Sequence, residues 1–257
     1  MSATLPATRA AFEMDQATAE RILDFLHQVG EQRRLRKATP GLEQSVEQLK
    51  HYQQQRFRRS YADLLASARY RDAAQFFLDE LYGPGDFTQR DAQFARVVPA
   101  LVRLFPAEVV RTVEDLARLH ATTERLDTEM ARHLLGSAPD RAGYLRAWQA
   151  CGHAPQRQLQ IDLTLGIGEA LDAYTRKPLL RQALRMMRGP ARAAGLQDLQ
   201  HFLECGFDTF KAMKGAGHFL ATVRGREEAL AKALFAADAG KAEALCPSGD
   251  DPLGQLP

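Results

Sequence analysis

The chain has 257 residues, 45% of them hydrophobic and 26% charged, with 34 basic against 32 acidic side chains and a formal net charge of +2. This balance excludes a disordered chain and a globally basic polyanion binder, and predicts one domain able to bury its own core. Cys151, Cys205 and Cys246 are widely spaced and form no CxxC pair, so neither a disulfide framework nor a zinc ribbon is indicated.

Residues 1–12 read as a loose arm, with neither the basic start nor the apolar stretch of a leader peptide. No apolar run is long enough to cross a bilayer, and the expected location is the cytoplasm. Arginine outnumbers lysine, alanine is abundant and asparagine is absent, a composition expected of a GC-rich bacterial genome.

From there 3.6-residue periodicity recurs without strand-type alternation, and predicts helices over 15–37, 42–66, 69–82, 89–105, 107–135, 139–151, 156–176, 178–188, 191–213 and 217–236. The breaks carry turn chemistry: Pro40-Gly41, Gly83-Pro84 and Gly189-Pro190 separate helices, while Pro106 and Pro178 suit first turns. Residues 238–257, rich in proline, glycine and aspartate, read as a flexible polar tail. The fold class is therefore all-α, a single bundle of about eight to ten helices over 13–237.

In chain order, the first local feature is the basic stretch 31–71, with Arg33, Arg34, Arg36, Lys37, Lys50, Arg56, Arg58, Arg59, Arg69 and Arg71 against few acids. On the 42–66 helix these residues scatter around the axis instead of forming a stripe, so nucleic acid is not an expected partner. The next helix, 69–82, is apolar around most of its circumference, with Asp72, Gln75 and Asp79 on a narrow polar arc. Glu80 falls on the apolar side, where a carboxylate needs a partner.

That helix carries Phe76-Phe77-Leu78-Asp79-Glu80-Leu81-Tyr82-Gly83-Pro84, preceded by Arg69-Tyr70-Arg71 and followed by Asp86-Phe87 and Arg90-Asp91. With the later run Met187 to Leu196, and Phe202-Leu203-Glu204 and Gly206-Phe207, it resembles the bacterial FFLEELY motif family over most of residues 61–236. The resemblance implies a helical fold and brings no activity, cofactor or site residue with it. Asp79 stands where that family's motif has Glu.

On the 107–135 helix, Val109, Val113, Leu116, Leu119, Leu126, Met130 and Leu134 form the apolar side. His120, Glu124 and Asp127 project from that same side at i, i+4, i+7 and so fall in one line. Such groups are expensive to bury unless bonded to one another, to arginine or to a metal. Two readings stand: a structural network, His120 bonded to Glu124 with an arginine from a neighbouring helix, or a ligand, metal or catalytic site with Glu80 as a further member.

Further along, Gly166-Ile167-Gly168 lies inside a helical pattern and reads as close helix packing, not a dinucleotide loop. Arg181, Arg185 and Arg188 form a stripe with Arg192 beyond it, an anion-binding candidate that a helix C-terminus would also favour by its dipole. His201, Glu204 and Asp208 have metal-like spacing but face away from their helix's apolar side. There Asp208 is expected to pair with Lys211. The functional expectation is a non-enzymatic helical protein that binds a protein partner or a small ligand. The alternative is an enzyme or metal or cofactor binder centred on His120, Glu124, Asp127 and Glu80. No cofactor or oligomeric state is indicated.

Overall fold

The helix signals are realised as α1 (Thr4–Ala38), α2 (Leu42–Ser60), α3 (Ala62–Ala66), α4 (Arg71–Phe76), a π-helical turn (Phe77–Leu81), α5 (Thr88–Leu104), α6 (Ala107–Arg132), α7 (Arg141–Cys151), α8 (Ala154–Thr175), α9 (Pro178–Ala193), α10 (Gln197–Ala212), α11 (Gly217–Ala236) and a terminal 3-10 turn (Pro252–Gln255). The structure, a computed structural model, describes residues 4–81, 87–238 and 251–257, and among the described residues no strand occurs. The protein is a single all-α domain.

Several boundaries differ from expectation, each for a local reason. Residues 4–12, expected in a loose arm, belong to α1, because Pro6 falls in the first turn where its missing N–H costs no hydrogen bond. The 42–66 helix breaks at Tyr61, which turns to φ −122° and ψ 27° while its ring packs 4.4 Å from that of Phe57 in the core. The 69–82 helix splits into α4 and the π turn, whose wider coil follows Ala73 and Ala74 inward with Phe77 and Leu78. The Gly83-Pro84 break after it lies outside the described residues.

Pro190 does not separate two helices but sits on the exposed side of α9. The stop comes at Gly195, whose φ of +68° lets the Leu196 N–H reach the Ala191 carbonyl at 2.8 Å. The close packing expected of Gly166-Ile167-Gly168 is made by Gly168 alone. A Cβ there would lie 2.6 Å from Leu220 Cδ2 on α11, whereas one on Gly166 would meet nothing within 4 Å.

The core has three parts. Leu49, Met130, Leu145 and Leu234 centre one between α2, α6, α7 and α11. Phe57, Tyr61, Phe77, Phe210 and Phe219 centre another, and Ile22, Val98, Val110 and Ala117 join α1, α5 and α6 in the third. The tail expected to be flexible contributes to the first part: Leu253 and Leu256 are buried, and Arg59 and Arg141 donate to the Leu256 carbonyl at 2.5 and 3.2 Å. Two leucines among polar residues suffice to dock the segment. Residues 239–250 of that tail lie outside the described residues.

Candidate ligand cavity

Helix α6 runs through the middle of the bundle, and its row Val113, Leu116, Ala117, His120, Thr123, Glu124 and Asp127 lines a cavity of about 410 Å³. At 1.5 Å per residue this row extends about 21 Å. Its composition changes along the way: apolar at the N-terminal half, polar from His120 onward. The cavity is therefore elongated and graded. Around the apolar half stand Phe94, Val97 and Leu101 of α5, Leu184 and Met187 of α9, and Leu199, Phe202 and Leu203 of α10. Around the polar half stand Lys50 and Gln53 of α2, Tyr144 and Trp148 of α7, and Arg157 and Gln160 of α8.

The apolar end reaches the surface. Leu104, Phe105, Met187 and Leu203 all line the cavity, yet are 78%, 43%, 49% and 41% exposed. Leu179 and Met186, on the outer side of α9, are exposed as well.

The sequence's polar line is placed along this wall, but its members take different partners. Glu124 is buried and held by two cations, Arg36 Nη1 at 2.5 Å and Lys50 Nζ at 2.6 Å. Arg36 also donates to the Glu124 carbonyl and to Thr128 Oγ1. Burial opposes ionisation of Glu124, but Lys50 and Arg36 outweigh it and hold the carboxyl down to about 2. His120 turns away from Glu124 to Asp91 on α5, with Nε2 to Oδ2 at 2.9 Å, and Arg33 reaches the same oxygen at 2.6 Å. Burial opposes the charge on Asp91, and His120 and Arg33 together still hold it below the ordinary carboxylate value.

Asp127 forms no ion pair among the described residues. Its side chain accepts from Gln53 Nε2 at 3.1 Å, and burial outweighs the nearby Lys50 and Arg157 charges and pushes its carboxyl up. Glu80, expected to need a partner, receives Arg90 Nη1 at 2.8 Å, and the Arg90 guanidinium lies 4.0 Å from the Phe87 ring centre and 4.7 Å from that of Phe202. His120, Glu124, Asp127 and Glu80 thus share one cavity without converging as metal ligands.

Among the described residues, Glu129, Cys151 and His153 are the group with metal-ligand spacing. The Glu129 carboxylate already binds Arg125 at 2.9 Å and His153 at 2.8 Å. Burial also pushes the Cys151 thiol up, away from the thiolate a metal requires.

The arginine stripe divides on α9. Arg181 pairs with Asp208, which therefore does not take the expected partner Lys211, and Arg188 grips Glu204 through both oxygens, the shortest contact being 2.5 Å. Arg185 and Arg192 are exposed and make no ion pair among the described residues. In the basic stretch 31–71, Arg33, Arg36, Lys50 and Arg56 bind carboxylates and Arg69 and Arg71 bind carbonyls, while Arg34, Lys37 and Arg58 are exposed.

Several polar-end residues were not singled out from the sequence. Arg157 is the most important, because it is 5% exposed and stacks 4.1 Å from the Trp148 ring centre. Its signal was present: it heads the inward row Ile161, Leu165 and Gly168 of α8 at four-residue and then three-residue steps. Gln53 lies on another helix and had no comparable signal, and Lys50 and Asp91 were read only as parts of the basic stretch 31–71 and of the Arg90-Asp91 pair, not as members of this site.

Fold and site together define an all-helical protein built around one graded, surface-connected cavity. No described helix is long and apolar enough to cross a membrane. The chain belongs to the family described as Domain of unknown function (DUF8198), which matches residues 32–241. No curated protein and no solved structure matches the chain.

Proposed function

We propose that this protein binds a small, elongated, largely apolar molecule inside the bundle. The cavity supports this reading: about 410 Å³ of interior space, with one apolar end open at Leu104, Phe105, Met187 and Leu203 and one polar end closed by side chains of α2, α6, α7 and α8. Of the two partners left open by the sequence, a protein or a small molecule, the cavity favours the small molecule. The enzymatic or metal alternative at His120, Glu124, Asp127 and Glu80 has less support, since three of the four groups are engaged by cations or by a neighbouring carboxylate. We also read Phe76–Tyr82 and the run from Met187 to Leu196 as those of the bacterial FFLEELY motif family.

Trp148 is the chain's single tryptophan and stands at the polar end, so its fluorescence reports occupancy. Titrating lipid-stripped protein with palmityl alcohol should give a saturable emission change. Leu116→Glu places a carboxylate on the apolar wall that the ligand must desolvate, and should weaken binding at least about tenfold. The absence of any saturable change, together with an unshifted melting temperature at excess alcohol, would refute the reading.

A further inference from the structure

A buried cation without a counterion is costly unless something neutralises it. Most charged side chains at this cavity have a partner of opposite sign: Arg36 and Lys50 have Glu124, Arg56 has Glu227 at 2.5 Å, and Arg90 has Glu80. Arg157 and Asp127 are exceptions. Arg157 is buried and lines the polar end, and no carboxylate forms an ion pair with it among the described residues.

The groups it contacts directly are neutral: Nη1 donates to Gln160 Oε1 at 3.1 Å, Nη2 faces the Met130 sulfur at 3.7 Å, the plane stacks on Trp148, and the Cys151 thiol is within reach. Tyr144 and the Asp127 carboxyl lie near it as well, without an ion pair. A guanidinium has five N–H donors, and its Nε–H meets no acceptor among the described residues. The indole Nε1–H of Trp148, on a side chain 8% exposed, meets none either. Two buried donors of adjacent side chains, one of them cationic, therefore stand together without acceptors at the closed end of an apolar cavity.

On the reading that this cavity binds an apolar molecule, we propose that the ligand is a long-chain carboxylate whose anionic head is held by Arg157, with the Trp148 N–H beside it and the chain running along α6 toward the open end. A carboxylate matches the planar guanidinium, supplies the missing charge and accepts from the idle donors. The neighbouring Asp127 carboxyl, which burial pushes up, accepts from Gln53 Nε2 and forms no ion pair with Arg157 among the described residues.

The test compares palmitate, palmityl alcohol and methyl palmitate by Trp148 fluorescence and by ligand-induced melting shifts, on the parent and on Arg157→Met and Arg157→Lys. Met keeps the apolar stem against Trp148 and removes an unpaired buried charge, so the empty variant should fold. The parent should bind palmitate about tenfold to a hundredfold more tightly than the alcohol or ester. Arg157→Met should lose that preference while keeping its affinity for the alcohol, and Arg157→Lys should keep part of it. Equal binding of acid, alcohol and ester by the parent would overturn the carboxylate assignment and leave apolar binding standing. A preference that persists in Arg157→Met would overturn the role of Arg157. Binding of none of the three would overturn the underlying reading, and the carboxylate assignment with it.

Discussion

Replacing Glu124 by Gln removes one negative charge from between two buried cations and changes almost no volume. In the parent the carboxylate receives Arg36 Nη1 at 2.5 Å and Lys50 Nζ at 2.6 Å, with side chains of Arg36 and Glu124 only 7% and 5% exposed. An amide can accept from one of the two but neutralises neither. Breaking a buried pair from one side costs about 3–5 kcal/mol, because the remaining charge stays desolvated. The carboxyl's own displacement gives a consistent figure: a fall from 4.5 to about 2 corresponds to roughly 3 kcal/mol in favour of the ionised folded state. At about 2–4 °C per kcal/mol for a chain of this size, the melting temperature should drop by about 6–20 °C. Thermal melts followed by far-ultraviolet circular dichroism measure this directly. The triple variant Arg36→Met, Lys50→Met, Glu124→Leu should regain much of the loss, since an apolar replacement of the whole network leaves no stranded charge. A Glu124→Gln protein melting within about 2 °C of the parent would show that the cations do not depend on this carboxylate, and the argument would fail.

Other substitutions probe different links. The stability that Glu124 contributes is fully present above its ordinary value of 4.5 and is lost as pH falls toward about 2, so acid melts should steepen there in the parent and not in Glu124→Gln. Asp127 has the opposite sign: its raised carboxyl favours the fold below the ordinary value of 3.8, and that contribution disappears as pH rises through the raised value. Asp127→Asn should therefore be neutral or stabilising near pH ~7 relative to its effect near pH ~4, as paired melts at the two values would show. Gly166→Ala should stabilise α8 by up to about 1 kcal/mol, whereas Gly168→Ala should be neutral to destabilising by about 2 kcal/mol as the new methyl meets Leu220; urea denaturation of both variants decides. Ending the chain at residue 238 removes the buried Leu253 and Leu256 and should cost about 3–6 kcal/mol, read as a lower urea midpoint.

The sequence determined the elements. Caps, prolines and 3.6-residue periodicity placed a helix over each helical stretch from α2 onward but missed the breaks at Tyr61 and Phe77 and misplaced the one between α9 and α10; the 217–236 helix coincides with α11. It also selected His120, Glu124 and Asp127 as anomalous, since three polar groups on an apolar stripe are visible without knowing what faces them. Local chemistry was misread where tertiary packing overrode it. Pro190 is tolerated on the exposed side of α9, and Leu253 and Leu256 dock a segment whose composition is that of a tail.

Partnership was decided by the tertiary structure. His120 chose Asp91 on α5 over Glu124 one turn away, and Glu124 took cations from α1 and α2. Periodicity fixes which face a side chain occupies but carries no information on which helix will lie opposite. The cavity is the extreme case: it is space left between α5, α6, α8, α9 and α10, a property of their arrangement that belongs to no single segment. Arg157 shows the boundary between the two levels. Its place in the inward row of α8 is written in the sequence, but that no carboxylate among the described residues forms an ion pair with it follows only from how the helices pack.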